Sequence, residues 1–320
     1  MTERSALTEL ARYASIPLPA RPLLVPWVQP VEVGDGLLEL RSDETFYPLR
    51  HPALATAFRA VDDRLTGAQE VEAVLADLPS EVESAAVLLL KMLRFSGLLL
   101  DGSELDDLEA DERGRLLSLS HLTVRPAAVQ RRLTAAAVAV LGSGAIAGRV
   151  EEQLESIGCE QVGAVEAEDL DDATAVDLLI ACVDAPARSH LTLINAFALE
   201  RRLPLLRVAA HGASAWLGPL VVPGETACLH CLQTRERANT HGEGALPDFE
   251  LGSIGALEPQ VELLAAQAVA EAIRFLGRAT APSTIGNVYE LSATSPQTHR
   301  HTLLRDPGCR ACGGSWLGSG

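Results

Sequence analysis

The 320-residue sequence is almost without lysine: of its 26 basic side chains only Lys91 is lysine, and the other 25 are arginine. Any chemistry that requires a lysine therefore has one candidate. Positive charge is short altogether, since 43 acidic side chains outnumber the basic ones and leave a formal charge of -17. Such a surface repels phosphate backbones, which excludes generic nucleic-acid binding. Long apolar runs are missing too. The charge-free stretches at 135–148 and 208–224 are glycine-rich and too short or too interrupted for the ~20 residues a bilayer demands. The first residues carry acids and no apolar signal core, so the expected compartment is the cytoplasm, with no membrane partner. Six cysteines are too few for a disulfide scaffold, and a reducing compartment favours metal binding over cross-links. With 48% apolar and 22% charged residues a packed core is feasible, and the length suits about two domains.

Residues 23–49 fall into short alternating pieces, LLVPWVQPV, GLLELRS and ETFYPL, separated by Gly-Asp-Gly and Ser-Asp turn signals that suit a small antiparallel sheet. Three helical patterns follow at 51–61, at 67–78 behind an N-cap candidate at Thr66, and at 79–95 with Glu81 and Glu83 in the first turn. Gly97 closes the third, and the leucines at 98–100 read as a closing strand. This outline is that of a winged helix-turn-helix over residues 1–104. A DNA-reading version would carry basic and amide side chains on its third helix. Here that helix carries AAVLLL at 85–90, and residues 1–100 hold 9 basic against 14 acidic side chains. A helix apolar all round needs partners on more than one side. One is its own core; the other is either a second domain or a captured peptide.

The acidic stretch DGSELDDLEADER at 101–113 reads as a solvated linker or the face of an exposed helix, which places a domain boundary near 105. Over 105–320, AAVAVLGSGAIAGRVEEQLESIG gives a buried strand, a glycine turn at Gly142 and Gly144 and a helix. Strands at 160–165, 177–184 and 204–210 alternate with a helix at 187–200, which implies a parallel sheet covered on both faces. An antiparallel extension at 213–222, a helix at 259–275 and two late strands complete a mixed sheet, so the fold class is α/β with an α+β front end.

Two CxxC knuckles, Cys228 with Cys231 and Cys309 with Cys312, are the sharpest local signal. Two such pairs close the tetrahedral shell of one Zn²⁺ and leave no position for water, so the metal would be structural. The 77 residues between the knuckles exceed a zinc-ribbon loop, and the ion would fasten the C-terminal segment to the loop after the fifth strand. His230 reads as a neighbour of the metal, and Cys159 and Cys182 as core residues.

LGSGAIA, LLIACVDA, LINAFALERRLPLLRVA, GPLVVPGETACLHCL and DPGCRACG, in this order over about 125–315, resemble the ThiF/MoeB-like, ubiquitin-activating-type adenylating enzymes. The resemblance implies ATP at the glycine loop, adenylation of a carboxylate and a zinc held by the four cysteines. Asp184 matches the family's metal-coordinating aspartate, although an aspartate before Ala-Pro-Ala also suits a helix cap. Glu166 could reach a ribose hydroxyl or stand as a solvated acid at a strand end. The family's arginine, asparagine and lysine for phosphate handling are absent from EAEDLDDATAVD, where they would stand after the second strand. Phosphoryl chemistry needs cations on oxygens as charge develops, so ATP is not expected as a cofactor and Gly142, Gly144 and Asp184 would mark a vestigial nucleotide site.

A winged helix-turn-helix ahead of such a domain resembles the ocin-ThiF-like, or cyclodehydratase-partner, proteins of azoline-forming peptide biosynthesis. That resemblance implies a precursor-peptide recognition element in which a leader peptide adds as a strand beside the third β-strand, against the third helix. By position the edge strand is Thr45, Phe46 and Tyr47, and the groove wall includes Leu90, Lys91 and Arg94. The expected function is non-catalytic: binding of the leader, and delivery of the core peptide to a YcaO-type ATP-dependent cyclodehydratase, with a second copy of the chain as a further partner. The alternatives are a working adenylating enzyme drawing cations from unexpected positions such as Arg149 or Arg188, and a winged-helix regulator that senses a nucleotide. An NAD-dependent oxidoreductase fits worst, because no catalytic His or Tyr motif accompanies the glycine loop.

Overall fold

The computed structural model describes residues 12–34, 36–42, 46–142, 144–166, 170, 176–183, 188–239 and 256–313; Thr45 and Asp184 lie outside them. Two compact units divide the chain, Met1–Ala128 and Val129–Gly320. The division falls later than the boundary expected near 105. The acidic stretch forms a 3-10 turn, Gly102–Leu105, and the start of helix Ala110–Leu119, the exposed-helix alternative of the two; the helix buries Leu116 and Leu119 and turns its charges outward. Glu112 fastens that start by accepting from the backbone N–H of Glu109 at 3.0 Å.

In the first unit, strands β2 (Gln29–Glu32), β3 (Leu38–Arg41) and β4 (Phe46–Leu49) form an antiparallel sheet with β4 at one edge. A separate strand, β1 (Pro22–Leu24), pairs antiparallel with β5 (Leu99–Asp101). The first sequence piece, expected as one strand, is thus two. Pro26 has no N–H to extend a ladder, and the chain turns there, held by the indole N–H of Trp27 on Ser120 Oγ at 2.9 Å. Helix α1 (Pro52–Val61) starts with proline behind His51, whose Nδ1 accepts from Ala53 N at 3.2 Å. The second helix, α2 (Val71–Leu75), is shorter than expected and does not start at Thr66: Gly67 takes a φ of +76° and bonds back to Pro22 O, which bends the chain before the helix can begin.

Helix α3 (Ser80–Phe95) buries Ala86, Leu89, Leu90 and Leu93 against Phe58, Leu40 and Leu49. It stops in a Schellman pattern: Leu98 N bonds to Leu93 O at 2.9 Å and Gly97 N to Arg94 O at 3.2 Å, with Gly97 at a φ of +75°.

Helix α4 is the Ala110–Leu119 helix above, and α5 (Pro126–Ala135) contains the division between the units. The second unit is a seven-stranded mixed sheet. Its members are β6 (Ala137–Leu141), β7 (Gln161–Val165), β8 (Leu178–Val183), β9 (Leu205–His211), β10 (Ser214–Val221), β11 (Asn287–Ser292) and β12 (Ser295–Thr302), in the order β12-β11-β10-β9-β8-β6-β7. β7, β6, β8 and β9 are parallel and β10 to β12 antiparallel, as the strand patterns predict. The near-continuous apolar runs of β6 and β8 are those of strands covered on both faces. Helices α6 (Ala145–Ser156), α7 (Arg188–Arg201), α8 (Leu229–Asn239) and α9 (Glu258–Gly277) complete the unit.

Inside α9 sits Glu271, 2% exposed, accepting four hydrogen bonds: from Arg274 and Ser283 on Oε1, both at 2.8 Å, and from Thr284 N and Oγ1 on Oε2 at 2.8 and 2.6 Å. Among the described residues no helix is long and apolar enough to cross a membrane.

Candidate functional site

Two loops bring the four cysteines together. The first CxxC straddles the start of α8, with Cys228 just before it and Cys231 in its first turn. Asn195 of α7 anchors that start, its buried Oδ1 accepting from Leu229 N at 2.9 Å. The second CxxC lies after β12, in a turn where Gly308 N bonds to Asp306 Oδ1 and Cys309 N to Asp306 O.

All four thiols are buried, and their sulfurs lie within 4.8 Å of one another. The sulfur–sulfur separations are 3.9 Å for Cys228 to Cys231, 3.7 Å for Cys228 to Cys309 and 3.6 Å for Cys231 to Cys312. A tetrahedron of sulfurs bonded to one ion at ~2.3 Å has edges of about 3.8 Å, so these side chains could hold a metal without rearrangement. His230 points its Nδ1 at Cys309 Sγ from 3.3 Å, beside the sulfur cluster rather than in it. Burial pushes the Cys228 and Cys231 thiols up. Burial also opposes ionisation of Cys309, but the N–H groups of Cys312 and Ala311 outweigh it and bring that thiol down to about 6.

Arg305 joins the two loops, donating to Gly224 O before the first knuckle and to Cys312 O in the second. Nothing local in the sequence marks this arginine, because its acceptors are backbone carbonyls supplied by the folded loops.

Just after β6, which lies inside the sheet between β8 and β7, Gly142 takes a φ of +117°, and Gly144 caps α6. A Cβ on Gly142 would come to 2.5 Å from Cys182 O. Gly142→Ala is therefore expected to destabilise the second unit by about 2 kcal/mol or more, read as a fall in its thermal midpoint. Glu166 follows β7 and is exposed. Arg149, one of the arginines considered for a phosphate, is already engaged by Glu152, Glu262 and Glu258 at 2.6, 2.8 and 3.1 Å. Arg188 opens α7, and its side chain is not among those described.

The residues expected to hold a peptide are distributed differently from the expectation. Phe46 and Tyr47 do lie on the edge strand β4, but neighbours on a strand face opposite ways: Phe46 is 63% exposed, while Tyr47 packs against the core. Burial pushes the Tyr47 hydroxyl up, partly offset by a hydrogen bond with Ser96 at the end of α3. Leu90 is 0% exposed and belongs to the core, so it walls no groove; the i, i+3, i+4, i+7 stripe of α3 turns it inward. Arg94 donates to Leu99 O at 3.2 Å. Lys91 Nζ reaches Ala14 O at 3.0 Å. Sequence reasoning missed Phe95, an exposed aromatic at the end of α3, for which its position two residues before Gly97 was the available signal.

Residues 164–311 match the family model described as ThiF family. No curated protein matches the chain. Similar solved structures include E. coli MccB with ATP, at 18% identity and a TM-score of 0.67 over 91% of this chain and 99% of that one. A second is the Microcin C7 biosynthetic enzyme MccB in complex with N-formylated MccA, at 17% identity and 0.69 over the same shares. A third is a heterocyclase in complex with substrate and cofactor, at 21% identity and 0.70 over 91% of this chain and 39% of that one. At these identities the likeness is one of fold. The second unit of this chain thus carries a ThiF family domain.

Proposed function

We propose that the protein is a non-catalytic partner in the making of azoline- or thiazole-containing peptides. It binds the leader of a ribosomally made precursor and delivers the core to a YcaO-type ATP-dependent cyclodehydratase, which cyclises Cys, Ser or Thr onto the preceding amide. The first unit acts as a winged helix-turn-helix recognition element, with the leader added along the edge of β4. Tethering the leader raises the concentration of the core at the partner's site, so modest leader affinity suffices. The second unit is a docking platform for the cyclodehydratase and for a second copy of the chain.

The observations that support this reading are of the sequence and of one arginine: EAEDLDDATAVD carries no arginine, asparagine or lysine, the only lysine is Lys91 in the first unit, and Arg149 is held by three carboxylates. The likeness to MccB, solved with MccA, and to a heterocyclase solved with its substrate supports a peptide as the ligand. The ion at Cys228, Cys231, Cys309 and Cys312 is zinc, which when bound supplies a closed cross-link between the two loops and no reactive water.

The likeness to MccB solved with ATP favours a second reading, an ATP-dependent adenylating enzyme. ATP–pyrophosphate exchange separates the two. The purified chain is expected to give no exchange above a protein-free control, with or without precursor peptide, and to bind the leader saturably by fluorescence anisotropy. Exchange that rises with peptide would establish the adenylating reading instead.

A further inference from the structure

The outer side of α3 is not bare. Leu88, Lys91 and Phe95 lie at i, i+3 and i+7, on one stripe turned away from the buried one, and all three are partly exposed. On this stripe lies the chain's own N-terminal turn. The Tyr13 ring meets Phe95 edge-on, with centroids 5.5 Å apart and planes at 86°. The Arg12 guanidinium stands over the same ring at 5.3 Å from its centre. Ala14 offers its carbonyl to Lys91 Nζ at 3.0 Å. The turn is closed by Ile16 N on Tyr13 O at 3.1 Å, and Leu18 then packs into the core. Aromatic edge, cation over ring and carbonyl to ammonium are the contacts a bound peptide would make there.

We infer that residues 12–16 are a built-in occupant of the peptide surface formed by β4 and the outer face of α3, and that an incoming peptide must displace them. The inference rests on the leader-binding reading for the identity of that peptide, but the docked turn itself does not. Each contact is worth about a single weak interaction, and the turn is tethered within a few residues of the core, so it closes and opens readily. The occupant also states what the surface reads: an aromatic side chain beside Phe95, a neighbouring cation, and a free carbonyl for Lys91. With the turn closed, a ligand's apparent affinity is reduced by the fraction of time the surface is open.

Limited trypsin digestion of the full chain, followed by mass spectrometry, measures the rate of cutting after Arg12. Tyr13→Ala and Phe95→Ala are each expected to speed that cut at least about tenfold, because cleavage tracks the open population, while cuts in the second unit keep their rates. An unchanged rate at Arg12 in both variants overturns the docked turn. A second arm adds a fluorescent peptide of residues 1–16 to a chain lacking them. Saturable binding, lost with Tyr13→Ala in the peptide, supports the inference, and no binding by a truncated chain of normal melting behaviour counts against it. A precursor peptide that binds the full chain without speeding the cut at Arg12 overturns the shared surface while leaving leader binding intact. Faster cutting in the variants with no leader binding at all refutes the leader reading and leaves the turn in place.

Discussion

Cys309→Ser is expected to leave the chain with less than a tenth of an equivalent of zinc, against one equivalent in the parent, and to lower the unfolding midpoint of the second unit by roughly 10 °C or more. The size follows from what a structural ion contributes. Apparent zinc-binding free energies of about 10–16 kcal/mol are folding free energies wherever the unfolded chain has no preformed site. Here the sheet has its own core, so only part of that sum is lost. Even ~4 kcal/mol moves a unit of this size by 2–4 °C per kcal/mol. The loss concentrates where the ion acts, on the loop before α8 and the turn after β12, which among the contacts described above are otherwise joined by Arg305 and by His230 against Cys309. Metal analysis and calorimetry read the two effects separately. His230→Ala is the control: it should keep its zinc, because the four sulfurs complete the shell and the imidazole stands outside it. A Cys309→Ser chain that retained one zinc and its midpoint would refute the four-thiolate site.

Glu271→Leu is expected to cost the second unit roughly 3–5 kcal/mol, the range for removing one partner of a buried ionic cluster. Four donors converge on this carboxylate, and leucine would strand the N–H and hydroxyl of the fully buried Thr284 away from water. The same geometry sets a pH dependence. Burial works against the charged form, but the bonds from Thr284 and Ser283 outweigh it and hold the carboxyl below its ordinary value near 4.5. A depressed carboxyl contributes stability that is complete above the unfolded value and fades as pH falls through the folded one. The parent should therefore lose midpoint steeply below about pH 4.5, the unfolded reference, and Glu271→Gln should show a shallower acid limb. Denaturation followed by circular dichroism from pH 3 to 7 tests both slopes.

The parallel half of the sheet was legible because β6 and β8 are apolar throughout, and a strand covered on both faces has no other composition to adopt. The four cysteines were legible because CxxC spacing is itself a geometric statement about a tetrahedral ion. Helix α8 was not. Its sequence, LHCLQTRERAN, has no apolar stripe, and its start is fixed by Asn195 from another helix. Arg305 was hidden for the same reason, since its role depends on carbonyls that only the fold brings near. On α3 the sequence announced more apolar surface than one core requires, yet it could not say that Leu90 turns inward and Phe95 outward. That depends on the phase of the helix relative to α1 and the sheet, which composition does not carry.

The two knuckles are 81 residues apart in the chain, ligand for ligand. At ribosomal rates of about 5–20 residues per second, Cys228 and Cys231 emerge roughly 4–16 s before their partners exist. For that interval the nascent polypeptide displays half a coordination shell, two vicinal thiols open to oxidation or to capture of a stray ion. On the proposed zinc reading, maturation of the protein is expected to need a reducing, zinc-supplied setting during translation itself.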